Sequence, residues 1–289
     1  MAPREITGDD ITQWLDGRSD FSLEMQMLSH LNKLGLEAEH GGTYSDPVTN
    51  KPRQFDIRCH ARNGECTFKL AVECKALSKS FPLIVQRVPR AEQESFVDVF
   101  LAQEILEASG QSIYDTRIKM PGEDCKILRA QNNSKLYPKG GYVGKSTNQI
   151  GEKKSGLFAN DSEIYDKWSQ AIASADDLVS QASEEHERPD RSRAFTIVLP
   201  VLVVSDECLW AVNYSPEGQR LSDPERLDEI SFFLSKEFWR QGSFYGSYTI
   251  SHLHLMTRSG FTHFTRMIAS KNTNFWNETF QLSALTEIE

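Results

Sequence analysis

The chain has 289 residues, of which 39% are hydrophobic and 25% charged, a composition typical of a soluble globular protein with a substantial core. Its formal net charge of −9 excludes a uniformly basic nucleic-acid coat but is compatible with a local basic groove. The five cysteines show no zinc-type spacing, residues 1–10 contain no apolar signal segment, and the longest apolar run, residues 194–204, is too short to cross a bilayer. We therefore expect a cytoplasmic protein with reduced thiols and no membrane association.

The start of the chain predicts a helix followed by a strand. After a short helical lead-in at residues 11–15, apolar side chains recur at helical spacing over residues 19–34, and Gly35 ends the pattern. Glu24 borders this apolar stripe. Taken alone, it is a first-turn acid that favours the helix dipole, whereas beside a metal site it is a candidate ligand. Residues 36–40 are predicted to form the first strand.

Two further predicted strands carry charged residues near their ends. Asp56 begins one of them, residues 68–75 form the other, and an Asn63-Gly64 pair marks a turn between them. Because side chains alternate along a strand, Glu73 and Lys75 share a face. If the strands pair as an antiparallel hairpin, Asp56 lies near Glu73, and two carboxylates and an ammonium group come within a few ångströms of each other. Two carboxylates at that range repel unless a cation lies between them.

This charge pattern suits a hard divalent ion. Mg²⁺ prefers oxygen ligands, keeps much of its hydration shell and is often completed by phosphate oxygens, and Mn²⁺ is a possible substitute. Lys75 is placed to orient an attacking water or to stabilise negative charge on a phosphate. The alternative is a surface hairpin with an ordinary cross-strand ion pair, against which the apolar flanks of both strands argue. The pattern therefore predicts a phosphodiester hydrolase.

These residues resemble the PD-(D/E)xK nucleases, the superfamily with the restriction-endonuclease-like fold. Asp56 matches the strand aspartate of that superfamily, and Glu73-Cys74-Lys75 matches its acid-x-lysine triplet. Glu24 stands where many members place a helical glutamate, and the residues that lead into Asp56 are similar to those of many members. The usual proline before the aspartate is replaced by Phe55. The resemblance covers about the first quarter of the chain well and the rest in outline.

The resemblance implies a Mg²⁺-dependent endonuclease, most often one that cuts DNA in restriction, repair or phage (antiviral) defence. It implies that Asp56 and Glu73 bind the metal, that Glu24 assists directly or through water, and that Lys75 positions the attacking water. Such nucleases often act as homodimers, which makes a homodimer an expectation here.

The middle of the chain predicts a connector at residues 80–90, a helix at residues 91–108 and then a basic segment. Residues 114–156 hold nine Lys and Arg against four Asp and Glu, with three interleaved tyrosines. Such a surface suits contact with phosphates and bases, although a solvated or disordered loop is the alternative. We predict that neutralising Lys135, Lys139 and Lys145 weakens nucleic-acid binding. The candidate nucleic-acid-binding residues are Lys135, Lys139, Lys145, Lys153 and Lys154.

The last part of the chain alternates helical and strand patterns. His252 and His254 share one face of a predicted strand and, without a third ligand in view, are expected to be packed rather than bound to metal. The predicted elements are a helix at residues 161–181, a charged linker at 184–193, a strand hairpin at 194–204 and 208–214, a helix at 227–239, a strand at 247–257 and a helix at 260–269.

Together these patterns predict one α/β domain over residues 1–289, with a mixed central sheet flanked by helices and a helical, basic insertion at residues 110–190. The predicted function is metal-dependent hydrolysis of nucleic acid, with DNA as the expected substrate. The alternative is a nucleic-acid-binding or regulatory subunit with a nuclease-like fold. Such a subunit would act only with a partner protein. The aromatic residues near Phe232 and Trp239 are candidates for that contact, although packing into the core is the expected use of these residues.

Overall fold

The computed structural model describes residues 4–103, 125–133, 135–187, 193–241 and 244–282. Its helices are α1 (Gly8–Arg18), α2 (Phe21–Lys33), α3 (Ser162–Ser180), α4 (Arg258–Ala269) and α5 (Thr273–Phe280), and 3-10 turns lie at Glu92–Glu94 and Gln181–Glu187. Its strands are β1 (Glu37–His40), β2 (Thr43–Ser45), β3 (Pro52–Gln54), β4 (Ile57–Asn63), β5 (Cys66–Lys75), β6 (Leu83–Pro89), β7 (Phe96–Gln103), β8 (Cys125–Gln131), β9 (Tyr142–Lys153), β10 (Gly156–Ala159), β11 (Arg193–Val204), β12 (Leu209–Asn213), β13 (Glu225–Arg226), β14 (Glu229–Arg240) and β15 (Gly246–Thr257).

Thirteen of the described strands form one mixed sheet in the order β1-β4-β5-β11-β15-β14-β9-β6-β12-β13. Strand β7 pairs with β11 and β8, β10 pairs with β9, and β2 and β3 form a separate hairpin. At the centre, β5, β11 and β15 run parallel, while β4 runs antiparallel to β5. This architecture confirms the predicted α/β class with a mixed sheet flanked by helices.

Helices cover both faces of the sheet at β5. On one face, α2, α4 and α5 build a core with Leu70 and Val72. On the other face, α3 packs Leu178 against Ala71. Because side chains alternate along β5, Glu73 points to the same face as Ala71, toward α3. The fold therefore places the acid of the predicted site between the sheet and a single helix.

Most of the helices predicted from sequence are present. The lead-in at residues 11–15 lies within α1, and the predicted helix at 19–34 is α2. The predicted elements at 161–181, 247–257 and 260–269 are α3, β15 and α4, and the strand at 36–40 is β1. The predicted charged linker at 184–193 overlaps a 3-10 turn up to residue 187, and residues 188–192 lie outside the described part of the chain.

The predicted connector at 80–90 and helix at 91–108 are wrong where the structure describes them. Residues 83–89 form β6 and residues 96–103 form β7, whereas 104–108 lie outside the described residues. Seven consecutive residues of β7, from Phe96 to Ala102, are buried, so both faces of the strand are covered. A continuous apolar run of this kind has no period of its own, and the helical spacing within it was coincidental.

The predicted helix at residues 227–239 is also wrong, because this stretch forms β14. Its first half alternates, with Ile230 and Phe232 buried, as expected of a strand that packs on one face. A bulge between Phe233 and Lys236 then shifts the register against β15, and Ser235 adopts a φ of 49° there. The bulge breaks the period of two, which made the run resemble a helix.

The two apolar runs at 194–204 and 208–214 form the strands β11 and β12, but the predicted hairpin between them is wrong. Strand β11 pairs with β5, β7 and β15, whereas β12 pairs with β6 and β13. Pro200 of β11 lies at a position that tolerates a residue with no N–H donor. On one side of β11 the pairing with β7 ends at Thr196 and the pairing with β15 begins at Val201, so Pro200 lies between the two paired stretches.

The predicted basic insertion at residues 110–190 contributes to the sheet itself. Its described part holds β8, β9 and β10, followed by the helix α3. Strand β9 pairs with β6 and touches β14, and β8 pairs with β7. Residues 110–124, which include Arg117 and Lys119 of the basic segment, lie outside the described residues.

The five cysteines are all buried, at positions within or next to strands. Burial raises the pKa of Cys59 and Cys74, with nearby carboxylates adding to the effect, so these thiols stay protonated and act as small apolar side chains. Within the described ranges, no helix has the length and apolar character that crossing a membrane requires.

Candidate active site

The predicted hairpin of β4 and β5 is present and carries Asp56 and Glu73 side by side. The strands pair from Ile57 opposite Val72 to Asn63 opposite Cys66, and Gly64 forms the turn with a φ of 58°. One residue before this pairing, the Asp56 backbone N–H lies 3.4 Å from Glu73 Oε1. Asp56 Oδ2 in turn accepts a 2.8 Å hydrogen bond from the Cys74 N–H. The backbone of each strand thus fixes the carboxylate of the other.

A lysine from a distant part of the chain joins this carboxylate pair. Lys167 Nζ lies 2.7 Å from Asp56 Oδ2 and 3.2 Å from Glu73 Oε2. Glu73 is 1% exposed and Lys167 18% exposed, so the contact is largely shielded from water. Lys167 lies on α3 on the same helical face as the buried Ile164 and Ala171, which holds it against the sheet.

The electrostatics of this cluster follow from burial and from two like charges in contact. Burial raises the pKa of Glu73 well above its usual range, and the neighbouring Asp56 charge raises it further, while Lys167 opposes both effects. Burial alone would lower the pKa of Lys167, but Glu73 and Asp56 outweigh it and raise the pKa, so Lys167 is a cation at neutral pH. The pair therefore requires positive charge between its oxygens.

Lys75 lies beside this cluster and contacts a second set of acids. Its Nζ is 3.3 Å from Asp20 Oδ2 and 3.0 Å from Glu163 Oε2. Asp20 also accepts a 2.7 Å hydrogen bond from the Ala76 N–H, which ties the residue before α2 to the end of β5. The ammonium group that touches the carboxylate pair is thus Lys167 and not, as the sequence suggested, Lys75. Residues two apart on a strand are about 6.6 Å apart, which separates Lys75 from Glu73.

Glu24 lies on α2 and pairs with a histidine. Its Oε2 lies 2.9 Å from His40 Nε2, at the end of β1. Glu24 is 14% exposed, and together with Asp56 and Glu73 it raises the pKa of the buried Cys74 thiol, for which burial is the largest cause. The charges of Glu24 and of the pair thus all act on the Cys74 thiol, and the hydrogen bond of Glu24 goes to His40.

An arginine holds the segment before Asp56 against α3. The Arg58 guanidinium lies 4.2 Å from the centre of the Phe55 ring and 5.4 Å from that of Tyr44. It also pairs with Asp177 at 2.8 Å and donates a hydrogen bond to Ser174. Because Arg58 is 6% exposed and contacts both elements, it fixes the entry to β4 and hence the position of Asp56.

The donor set suits a Mg²⁺ ion that is bound mainly through water and substrate. The described residues include no group of three or more His, Cys, Asp or Glu side chains arranged to hold a metal, so the pair offers two carboxylates. Mg²⁺ is commonly bound through one or two carboxylates plus phosphate oxygens and waters. The convergence of Asp56 and Glu73 on a single cation, Lys167 Nζ, shows that both carboxylates already face one position. The residues therefore fit such an ion.

Two residues of this cluster, Asp20 and Lys167, were not identified from the sequence. Asp20 precedes the first turn of the predicted helix, where an acid is common for reasons of capping alone. The sequence does indicate that Lys167 is unusual, since it lies on the apolar face of a predicted helix between Ile164 and Ala171. A lysine at such a position needs a buried counter-charge, but nothing local indicates which acid supplies it.

The five basic-segment lysines lie in two different settings. Three of them pair with glutamates: Lys135 with Glu278 at 3.1 Å, Lys139 with Glu92 at 2.6 Å, and Lys145 with Glu94. Lys153 and Lys154 are exposed at the turn between β9 and β10, and Lys153 Nζ lies 4.0 Å from the centre of the Phe158 ring. Phe158 stacks on Phe81, which lies in the loop between β5 and β6.

We predict that the double substitution Lys153→Gln/Lys154→Gln weakens nucleic-acid binding more than Lys135→Gln/Lys139→Gln does. The first pair contributes exposed positive charge, whereas the second pair is compensated by glutamates. Each lysine that contacts a duplex phosphate adds about 0.9 to the slope of log affinity against log salt concentration, so the slope should fall by roughly 1 to 2. Fluorescence anisotropy at several salt concentrations measures the affinity and this slope. Equal slopes for both variants would show that the β9–β10 turn is not part of the binding surface.

The histidines of β15 are packed, in agreement with the sequence expectation. His252 stacks on Tyr137 with ring centres 3.6 Å apart, and its Nδ1 lies 2.9 Å from Ser251 Oγ. His254 Nε2 lies 2.9 Å from the Tyr137 hydroxyl. Burial lowers the pKa of His252 to about 2, with Arg90 adding to the effect, so its ring is neutral at physiological pH.

Neither protein-family models, nor curated proteins, nor solved structures gave a match to the chain.

Proposed function

We propose that the protein is a divalent-metal-dependent nuclease that hydrolyses phosphodiester bonds at the Asp56–Glu73 pair. The observation that carries this proposal is the convergence of two buried carboxylates, from adjacent strands, on one cation position with two lysines close by. A buried pair of acids is costly to a fold, and such pairs are characteristic of sites that bind metal or transfer protons.

The roles follow from the contacts of each side chain. Asp56 and Glu73 hold the ion, and the Cys74 N–H fixes the Asp56 carboxylate for this task. Bound Mg²⁺ supplies Lewis-acid stabilisation of phosphate charge and a lowered pKa of water. Lys75 presents its ammonium group beside the pair, where Asp20 orients it, and it donates hydrogen bonds to the attacking water or to a phosphate oxygen. Glu24 adds negative charge near the pair and assists through its field or through water.

The proposal includes a restriction-endonuclease-like core and DNA as the substrate. It is supported by the antiparallel β4–β5 pair that carries the acids, the mixed sheet and the helices on both of its faces. The exposed lysines of the β9–β10 turn supply positive charge for a phosphate backbone. A homodimer, which would cut both strands, and a role in restriction, repair or phage defence belong to the same proposal.

A second candidate function is a nucleic-acid-binding or regulatory subunit that keeps the fold and does not cut by itself. The observation that favours it is the pair of contacts from Lys167, which place a positive charge against both carboxylates without a metal. If these contacts are permanent, the site is closed to an ion. Nucleic-acid binding without cleavage under any divalent ion would support this candidate.

The test is cleavage of plasmid DNA, single-stranded DNA and RNA by the purified protein with Mg²⁺ or Mn²⁺, and with EDTA as the metal-free control. We expect metal-dependent cutting by the wild type that is lost in Asp56→Ala and Lys75→Ala while circular dichroism shows an intact fold. Activity that persists in EDTA or in Asp56→Ala would refute the proposal.

A further inference from the structure

A single lysine occupies the position that a bridging metal ion requires. Lys167 Nζ contacts Asp56 Oδ2 at 2.7 Å and Glu73 Oε2 at 3.2 Å. Mg²⁺ in turn needs direct contact with carboxylate oxygens at roughly 2.1 Å. An ammonium group and a metal ion against the same two oxygens repel each other, because both are positively charged. Binding of the ion to these oxygens therefore competes with the Lys167 ion pairs.

The helix that carries Lys167 is anchored, but its side chain can move. Ile164 and Ala171, on either side of Lys167 along α3, are buried, and Trp168 packs against Phe232 with ring centres 5.1 Å apart. The ammonium group, by contrast, stands on a flexible four-carbon stem, and the side chain is 18% exposed. Lys167 can thus move away from the carboxylates while α3 keeps its place.

The neighbouring lysine has no such conflict. Lys75 Nζ contacts Asp20 and Glu163, so its ion pairs survive when an ion binds between Asp56 and Glu73. The two lysines of the site therefore have different relations to the metal. Lys167 competes with it, and Lys75 remains beside it.

We propose that Lys167 is an internal counter-cation that competes with the divalent ion for the Asp56–Glu73 pair and so sets the metal concentration at which the site becomes occupied. This inference rests on the proposed function, and it adds a form of regulation to the same site. At low metal concentration the Lys167 ion pairs stabilise the acids and close the site. At higher concentration the ion displaces the ammonium group, and the free energy of metal binding offsets the cost of breaking two ion pairs.

The test compares Mn²⁺ affinity, measured by isothermal titration calorimetry, in the wild type, Lys167→Met, Lys167→Arg and Lys75→Met. Methionine keeps the length of the stem and removes the competing charge, so Lys167→Met should bind Mn²⁺ at least about tenfold more tightly than the wild type. Lys167→Arg should stay close to the wild type, and Lys75→Met should gain less than Lys167→Met. A folded Lys167→Met protein that binds Mn²⁺ no more tightly than the wild type would overturn the inference.

A second measurement on the wild type covers the case in which Lys167→Met does not fold. Acetylation of lysines, read by mass spectrometry, should increase severalfold at Lys167 when Mg²⁺ is added and stay unchanged at Lys135. Unchanged labelling of Lys167 at millimolar Mg²⁺ would overturn the inference. If Lys167→Met binds Mn²⁺ more tightly but the wild type cleaves no nucleic acid, the proposed function alone is refuted. If the wild type cleaves nucleic acid but Lys167→Met binds Mn²⁺ with the same affinity as the wild type, this inference alone is refuted.

Discussion

The substitution Asp56→Asn should lower metal-dependent cleavage by roughly a thousandfold or more. The amide keeps the shape of the side chain and an oxygen that can accept from the Cys74 N–H, so the hairpin should remain intact. It removes one of the two negative charges that hold the ion, and a bound metal contributes several kcal/mol of transition-state stabilisation. The effect should therefore appear in the rate and in the metal dependence, with little change in the fold.

Single-turnover cleavage over a range of Mg²⁺ concentrations measures this effect. The matched control is Glu207→Gln, which also converts an acid to its amide but at an exposed residue paired with Lys79 on the surface. This control should cut at the rate of the wild type. A rate for Asp56→Asn within about tenfold of the wild type would show that the Asp56–Glu73 pair does not hold the catalytic ion.

The substitution Gly260→Ala should destabilise the fold by about 3 kcal/mol, near the upper end of the cost of overpacking. Gly260 lies in the first turn of α4, where a Cβ would overlap the carbonyl oxygen of Asp228 and lie 2.7 Å from its carbonyl carbon. Asp228 is itself held there, because its carbonyl accepts from the Thr257 N–H and its carboxylate from the Thr257 hydroxyl. Relief of the overlap therefore requires movement of backbone on both sides.

Urea denaturation followed by circular dichroism gives the free energy of unfolding. The matched control is Gly8→Ala in α1, where a Cβ meets nothing within 4 Å. Alanine is favoured over glycine in helices by about 0.5–1 kcal/mol, so this control should be neutral or slightly stabilising. Equal stability of the two variants would mean that α4 does not approach Asp228 as closely as described.

The sequence predicted the local half of the site. Asp56 and Glu73 lie on neighbouring strands joined by a short turn, so period-two alternation and the Asn63-Gly64 turn were enough to bring them together. This part of the interpretation depended on residues fewer than twenty positions apart, and the structure confirms the hairpin and the proximity of its two acids.

The other half of the site depends on contacts that no local pattern contains. Lys167 is separated from Asp56 by 111 positions and from Glu73 by 94 positions. The sequence correctly predicted the helix that carries Lys167, but not that the helix crosses the face of β5 on which Glu73 lies. Without that placement, Lys75 was the nearest available ammonium group and was assigned the contact that Lys167 makes.

The errors in secondary structure have a common physical origin. Strand β7 is buried on both faces and has no alternation, and β14 has its alternation interrupted by a bulge. Both runs place apolar residues three and four positions apart, which is the spacing of a helix face. What makes them strands is their pairing: β7 pairs with β8 and with the distant β11, and β14 pairs with β15, the next strand of the chain. Tertiary context decided between two locally acceptable structures.

The most direct test of the account is an anomalous difference map from crystals soaked in Mn²⁺. The account predicts a manganese peak between the carboxylates of Asp56 and Glu73, with Lys167 Nζ moved away from both and Lys75 still paired with Asp20. A map that shows Lys167 in contact with both carboxylates at saturating Mn²⁺, and no manganese at the pair, would contradict it.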